Sequence, residues 1–168
     1  YTQIFGKVQE LVDHGGTQLL MQGGLHPDLK IDWFEDLFRQ LRHRFPSVQI
    51  HSLSPAEIVH LAKLSGVTMA DCLARLNAAG LQSLPGGGAE MLVDDLRLNI
   101  SPKKGSADNW LRIMAEAQQI GLTTSATNVI GFGESYVNRV QHLDKIRQLQ
   151  DESVSKKLVG FTSFIAWP

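Results

Sequence analysis

Apolar residues along this chain follow two spacings, which predict alternating helices and strands. Apolar side chains three or four residues apart indicate amphipathic helices, whereas short apolar runs bounded by glycine or proline indicate buried strands. The helical spacing covers residues 3–14, 32–45, 55–64, 68–79, 106–120 and 136–151. The strand pattern covers residues 17–22, 48–51, 81–84, 122–127 and 159–165.

Local signals refine the helix boundaries. Asp32 and Thr68 stand where helix N-caps are expected, because their side-chain oxygens can accept from the first-turn N–H groups. Residues 89–93 are predicted to form a short helix opened by Glu90, and residues 95–100 a helical or irregular stretch.

Strands that alternate with helices of this length predict five parallel β/α units and therefore an α/β fold. The loops rich in Gly, Ser, Pro, His and Glu all follow strands. In parallel barrels and open α/β sheets the functional site lies at the carboxyl ends of the strands, so these loops are expected to share one rim. A Rossmann fold is disfavoured, because no G-x-G-x-x-G joins the first strand to its helix.

Composition narrows the class of protein. A chain of 168 residues with 43% hydrophobic content suffices for one core. With 16 basic and 17 acidic residues well mixed, the net charge of −1 indicates no nucleic-acid surface. No apolar run approaches the roughly 18 residues of a membrane span. The single cysteine, Cys72, lies in a helical pattern, which fits a buried hydrophobe in a reducing compartment such as the cytoplasm.

Three glycine-bearing loops follow predicted strands. Gly86–Gly88 is the most conspicuous, since three glycines suit either a tight turn or a backbone that lies flush against a ligand. Gln22-Gly23-Gly24 and Gly131-Phe-Gly-Glu134 allow the same two interpretations. Glu134 is also explained as a carboxylate at the start of a helix.

Single polar residues on the expected rim are equally open to two interpretations. His51 is either a hydrogen-bonded structural histidine or a substrate contact or base. Ser54-Pro-Ala-Glu57 matches a capping box. Arg97 and the Lys103-Lys104 pair suit a solvated loop or a site for a ligand carboxylate. The histidines show no metal-ligand spacing.

Five motifs occur in an order found in one enzyme family. They are Met21-Gln-Gly-Gly-Leu-His-Pro-Asp28, His51-Ser-Leu-Ser-Pro-Ala-Glu57, Ala79-Gly-Leu-Gln-Ser-Leu-Pro-Gly-Gly-Gly-Ala-Glu-Met-Leu92, Ile100-Ser-Pro-Lys-Lys104 and Gly160-Phe-Thr-Ser-Phe-Ile-Ala-Trp167. In these motifs, which span nearly the whole chain, it resembles the radical S-adenosylmethionine (SAM) enzymes of the futalosine route to menaquinone. It also resembles their relatives that make the deazaflavin precursor FO. The fourth and fifth motifs favour the member that cyclises dehypoxanthine futalosine over aminofutalosine synthase and the FO synthase subunit.

The resemblance implies a partial (β/α)6-type barrel. In such enzymes a CxxxCxxC loop after the first strand holds a [4Fe–4S] cluster, which an external one-electron donor reduces. SAM is then cleaved to methionine and a 5′-deoxyadenosyl radical, which abstracts a hydrogen from a nucleoside substrate. In the cyclase, the resulting ribose radical adds to the aromatic ring of the substrate and forms a spirocyclic product.

The resemblance also assigns expected roles residue by residue, without naming a catalytic one. The expected SAM contacts are Gln22, Gly23, Gly24, Ser54, Glu57, Glu90 and Glu134. The expected substrate contacts are His51, Ser83, Gly87, Arg97, Lys104 and Thr127.

Two departures from the family pattern limit this expectation. The CxxxCxxC loop is absent, and Cys72 alone cannot replace three thiolates, so the chain is expected to hold no cluster. It is interpreted as an incomplete barrel core over residues 1–168 that lacks the first strand and cluster loop. The alternative is an inactive segment that self-associates through exposed strand edges.

The second departure lies in the turn after the fourth strand. Asn128, Val129 and Phe132 replace a Met pair and a His of the relatives, which leaves the substrate contacts of that turn open.

Overall fold

The computed structural model describes all 168 residues and contains seven α-helices, a short 3₁₀ helix and five strands. In chain order these are α1 (Thr2–Asp13), β1 (Gln18–Met21), α2 (Ile31–Arg44), β2 (Gln49–Ser52), α3 (Pro55–Ser65), α4 (Met69–Ala79), β3 (Ser83–Leu84), α5 (Asp94–Ile100), the 3₁₀ helix (Pro102–Lys104), α6 (Ala107–Gln119), β4 (Thr123–Val129), α7 (Tyr136–Ser155) and β5 (Phe161–Trp167). None of the helices combines the length and the apolar character needed to cross a bilayer.

The five parallel strands form one sheet in chain order, which confirms the predicted α/β fold. Each strand overlaps its predicted range, and β3 is the shortest, with only two residues. Residues aligned in register between β1 and β2 run from the pair Gln18–Gln49 to the pair Met21–Ser52. The helical stretch predicted at 95–100 is a regular helix, α5.

The contacts divide the chain into two compact units, of which the first comprises residues 1–53 and 57–83. Arg75 on α4 ties this unit together, because its guanidinium binds Glu35 at 2.8 Å and Asp32 at 2.6 Å on α2. The apolar core of the unit is formed by Val8, Ile31, Leu37, Phe38, Leu41, Ile50, Leu61, Leu73, Leu76 and Leu81.

The second unit comprises residues 54–56 and 84–168. A buried polar chain crosses it, since Gln118 on α6 donates to Thr124 Oγ1 at 2.8 Å and Thr124 donates to the Gly160 carbonyl at 3.0 Å. Its apolar core is formed by Leu84, Ala89, Met91, Leu92, Trp110, Ile113, Met114, Ala117, Leu122 and Ala126. Towards solvent, α7 and β5 expose the apolar side chains of Val137, Val140, Phe164 and Trp167.

The predicted N-cap role of Asp32 is wrong, whereas that of Thr68 is confirmed. Helix α2 begins at Ile31, and the Ile31 N–H donates to Ser65 Oγ at 3.0 Å. Ser65 of α3 therefore replaces a local N-cap side chain, and Asp32 binds Arg75 instead. Thr68 Oγ1 accepts from the Asp71 N–H in the expected way.

The predicted helix at residues 89–93 is also wrong, because this segment is irregular. Its backbone groups bind side chains instead of one another. Arg97 donates to the Ala89 carbonyl at 2.5 Å, and the Leu92 N–H donates to His142 Nδ1 at 3.0 Å. Glu90 has a φ of +46°, a left-handed conformation that no helix interior allows. Glu90 therefore does not open a helix.

Full burial lowers the pKa of His142 from 6.5 to about 4, and the positive charges of Arg97 and Lys145 act in the same direction. The folded state therefore favours the neutral imidazole that accepts from Leu92. Stability from this group is complete above pH 6.5 and is lost as the pH falls towards 4, because only the unfolded chain then binds the proton easily.

We expect the unfolding free energy to fall by roughly 3 kcal/mol between pH 7 and pH 4 through His142. His142→Asn keeps an oxygen where Nδ1 accepts from Leu92 but does not titrate, so its stability should depend less steeply on pH. Urea unfolding of both proteins at a series of pH values measures this. Equal slopes for the two proteins would contradict the assignment.

Candidate functional site

The loop after β1 is held by a carboxylate from α3. Both the Gly23 and the Gly24 N–H donate to Glu57 Oε1, at 2.8 and 2.9 Å. Glu57 lies in the first turn of α3 and is buried. Two adjacent backbone donors thus converge on one anionic oxygen, so both N–H groups are occupied and the loop is held in a fixed shape beside the carboxylate. Gln22 beside them is exposed.

The fold itself gives little reason for a glycine at position 23. A Cβ added to Gly23 would meet no atom within 4 Å, and its φ lies outside the left-handed region. Gly24 differs, since its φ of +71° favours glycine for conformational reasons. A bare, exposed backbone at Gly23 is therefore available for close approach by a ligand.

His51 and Ser83 form a hydrogen-bonded pair across β2 and β3. His51 Nδ1 lies 2.7 Å from Ser83 Oγ, and the two residues are aligned in register. Burial lowers the pKa of the half-buried His51 imidazole below its ordinary value. At neutral pH the pair is therefore uncharged.

The first glycine of the triple-glycine loop is packed tightly against β4. The Gly86 N–H donates to Ser125 Oγ at 3.0 Å, and Thr127 donates to the Gly86 carbonyl at 2.6 Å. A Cβ at position 86 would lie 2.4 Å from the backbone oxygen of Ser125. Packing alone thus requires this glycine, whereas Gly88 has a φ of +79° and needs glycine for its conformation. Gly87 lies between them and is partly exposed.

Beyond this loop, Glu90 and Lys104 form an ion pair, and Arg97 is buried beneath. The Arg97 guanidinium donates to the carbonyls of Ala89, Lys104 and Gly105 at 2.5 to 3.0 Å. Arg97 has no solvent-exposed surface, so its donors face the protein. This geometry favours a structural role for Arg97 over the predicted contact with a ligand, and it leaves Lys104 as the accessible cation.

Glu134 shapes the turn between β4 and α7. Its carboxylate accepts from the N–H groups of Gly131 and Phe132 and from Arg139, all within 2.6 to 3.0 Å. These bonds, of which that from Gly131 contributes most, lower its pKa to about 2. Only 1% of the side chain is exposed, so Glu134 fixes the turn instead of offering a free carboxylate.

A family model describing the radical SAM superfamily matches residues 2–146 of this chain. The chain belongs to the radical SAM superfamily. Membership agrees with the parallel α/β sheet and with the glycine loops described above, and it confirms the family expected from the sequence motifs.

Curated relatives resemble the chain over nearly its whole length. Proteins named cyclic dehypoxanthine futalosine synthase from Halalkalibacterium halodurans and Streptomyces coelicolor are 44% and 38% identical to it, each over 98% of the chain. A 5-amino-6-(D-ribitylamino)uracil–L-tyrosine 4-hydroxyphenyl transferase from Methanothermobacter thermautotrophicus is 37% identical over 95% of the chain. These matches cover 43%, 40% and 42% of the relatives, so the chain spans about two fifths of their length.

Solved structures that resemble the chain share its fold alone. Yersinia pestis DHPS with a bound pterine-sulfa conjugate matches with a TM-score of 0.55 at 11% identity, covering 98% of this chain and 53% of that protein. A 2,3-dimethylmalate lyase matches with a TM-score of 0.50 at 12% identity, covering 94% and 68%.

The structure places the predicted site residues of this radical SAM chain in two groups. In the first unit it brings the loop at residues 22–24 to Glu57, and His51 to Ser83. In the second unit it brings Gly86 to Thr127, and Glu90 to Lys104. Ser54 is buried directly before α3, and Glu134 binds its own turn.

Sequence reasoning missed Ser125 and Arg139, whose partners are Gly86 and Glu134. Arg139 follows Glu134 by five residues on the first turns of α7, and this spacing was the available signal. No local signal marked Ser125, because its hydrogen-bond partner Gly86 lies 39 residues away in the chain.

The radical SAM family implies a [4Fe–4S] cluster, but the residues of this chain do not fit one. A cluster of this kind needs three thiolates, and the only cysteine is Cys72. Cys72 is fully buried in α4, and burial raises the pKa of its thiol to about 12. No group of three His, Cys, Asp or Glu side chains is placed to hold a metal. Cluster ligands would have to come from residues other than these 168.

We expect Gly86→Ala to lower the unfolding free energy by about 1–3 kcal/mol, because the added methyl group would meet backbone atoms of β4 that cannot move alone. Gly23→Ala is the matched control and should leave stability nearly unchanged. Denaturant unfolding of both variants measures the difference. Equal stability losses would show that the contact of Gly86 with β4 is not as close as described.

Proposed function

We propose that this chain is part of a cyclic dehypoxanthine futalosine synthase, which converts dehypoxanthine futalosine to its cyclic form in menaquinone biosynthesis. The observation that carries the proposal is the identity of 44% and 38% to two proteins of that name, each over 98% of the chain. The motifs at Ile100-Ser-Pro and at Phe164-Ile-Ala-Trp167 support this member of the radical SAM group.

In this proposal the first unit contributes contacts to SAM from Gln22, Gly23, Gly24 and Glu57. The Glu57 carboxylate, which already accepts from the Gly23 and Gly24 N–H groups, supplies a negative charge that suits the ammonium of the methionyl end, and the bare backbone at Gly23 leaves room for its approach. Bound SAM supplies the 5′-deoxyadenosyl group that abstracts a hydrogen from the substrate. What this part of the chain does is bind and orient the two molecules.

The second unit is proposed to contribute further polar contacts. Those to SAM come from Ser54, Glu90 and Glu134, the last through the turn whose shape it fixes. Those to the substrate come from Gly87, Lys104 and Thr127, together with His51 of the first unit, whose imidazole is hydrogen-bonded to the buried Ser83. Arg97 acts on this site through the loop carbonyls it binds.

The wider setting follows from the same proposal. The enzyme takes a nucleoside substrate and an external one-electron reductant, and it works in the cytoplasm. In the self-association alternative, the exposed apolar side chains of α7 and of the edge strand β5 provide the contact surface.

A second candidate function is that of the FO-type relatives. Several proteins named 5-amino-6-(D-ribitylamino)uracil–L-tyrosine 4-hydroxyphenyl transferase are 32–37% identical to the chain. Aminofutalosine synthase is a further alternative within the group. The remaining alternative is a segment without catalysis.

We expect the full-length gene product, reconstituted anaerobically with its cluster and SAM, to cyclise dehypoxanthine futalosine. The same preparation should not act on 5-amino-6-(D-ribitylamino)uracil with L-tyrosine. Product analysis by mass spectrometry separates these outcomes. Turnover of the second substrate pair alone would favour the FO-type function, and turnover of none would favour the inactive alternative.

We expect Glu57→Gln in the full-length gene product to weaken SAM binding by at least about tenfold, because it removes a charge-assisted contact. Its stability should fall by only about 1 kcal/mol, since the amide oxygen can still accept from Gly23 and Gly24. Calorimetric titration with SAM and urea unfolding measure the two effects. Glu152→Gln on the exposed surface of α7 controls for the lost charge. Unchanged SAM affinity would leave Glu57 a purely structural role.

A further inference from the structure

One face of the sheet in the first unit carries exposed polar side chains. Leu20, His51 and Ser83 are aligned in register across β1, β2 and β3, so their side chains share a face. Gln18 and Gln49 form the neighbouring row and are joined by a hydrogen bond of 2.6 Å. Leu20 is 62% exposed, whereas Ile50 and Ser52 on the opposite face are buried. The face with His51 is therefore the accessible one.

The surroundings of Ser83 decide the direction of its hydrogen bond to His51. Ser83 is 3% exposed, and His51 Nδ1 is the only partner of its hydroxyl group. If Nδ1 carried the proton, the buried hydroxyl hydrogen would have no acceptor, which is costly. The hydroxyl therefore donates to Nδ1, and in the neutral imidazole the proton lies on Nε2.

His51 Nε2 has no hydrogen-bond partner within the protein. The fully buried side-chain atoms without a partner are on Trp110, Glu116, Asn128 and His142. His51 Nε2 is not one of them, so solvent reaches it. Ser83 fixes the imidazole ring through Nδ1, and the Nε2–H group points to the accessible face. This donor has no acceptor within the protein. The exposed side chain of Leu20 in the same row adds apolar surface beside it.

We propose that Ser83 is a positioning residue that fixes His51 in the Nε2–H tautomer, and that His51 thereby donates a hydrogen bond to an oxygen of the nucleoside substrate. The hydrogen bond to the nucleoside rests on the proposed function, whereas the tautomer fixed by Ser83 does not. A neutral donor of this kind binds a carbonyl, hydroxyl or carboxylate oxygen without introducing a charge that must be desolvated.

The tautomer is tested without any ligand. Long-range ¹H–¹⁵N spectra of the full-length protein labelled with [¹⁵N]histidine should show a pyridine-type nitrogen at Nδ1 of His51 and a pyrrole-type nitrogen at Nε2. The His51→Gln spectrum identifies the signals of His51, because they are the ones that disappear. Ser83→Ala should give a mixture of both tautomers. A pyrrole-type Nδ1 in the unaltered protein, or an unchanged tautomer in Ser83→Ala, would overturn the positioning role.

The ligand half is tested by titrating dehypoxanthine futalosine into the reconstituted full-length protein under anaerobic conditions without reductant. His51→Gln places an amide N–H₂ near the position of Nε2 and should bind within about threefold of the unaltered protein. His51→Asn keeps a partner for Ser83 but has no distal donor, and should bind about tenfold more weakly. Ser83→Ala should lie between them, with KM raised and kcat little changed.

Two results separate failure of this inference from failure of the proposed function. Tight nucleoside binding that is equal in His51→Gln and His51→Asn would overturn the donor role while the function stands. No nucleoside binding by the unaltered protein would overturn the proposed function and, with it, the assigned ligand. The tautomer of His51 is determined independently in either case.

Discussion

Backbone N–H and C=O groups that leave the sheet at strand ends must find partners, and in this protein side chains provide them. Glu57 binds two N–H groups after β1, and Glu134 binds two after β4. Ser125 and Thr127 bind both polar groups of Gly86 after β3. The loops after β1 and β3 are thus held by residues distant in sequence, and the turn after β4 is held by its own Glu134. The loops gain defined shapes without forming secondary structure.

This constraint explains why charged residues expected at the site divide into two kinds. Arg97 and Glu134 are buried and bind backbone groups of the loops, so their role is to hold that backbone. Lys104 and His51 keep accessible donors. In a buried setting an unpaired charge is costly, so the most buried charges are expected to be structural. Accessibility, rather than charge alone, separates supporting residues from those that can touch a substrate.

Much of the fold could be predicted from the sequence, because periodic apolar patterns depend on neighbouring residues. All five strands, and the cap at Thr68, arise from such local signals. The segment at residues 89–93 could not be predicted, since His142 and Arg97 capture its backbone from elsewhere in the chain. The prediction for Asp32 was wrong for the same reason, because the Ile31 N–H at the start of α2 donates to Ser65, a residue of α3. The loops were located correctly, but which side chains hold them depends on tertiary contacts.

The turn before α7 is ordered by its own side chains. Ser135 and Asn138 form a reciprocal cap at the helix start, and Arg139 fastens Glu134 beside it. The turn therefore holds one shape through its own hydrogen bonds. A turn that is ordered in advance loses little conformational entropy if a ligand binds against it, which is the general advantage of preorganisation. Because Asn138 completes the cap, its substitution would loosen the turn without removing Glu134 itself.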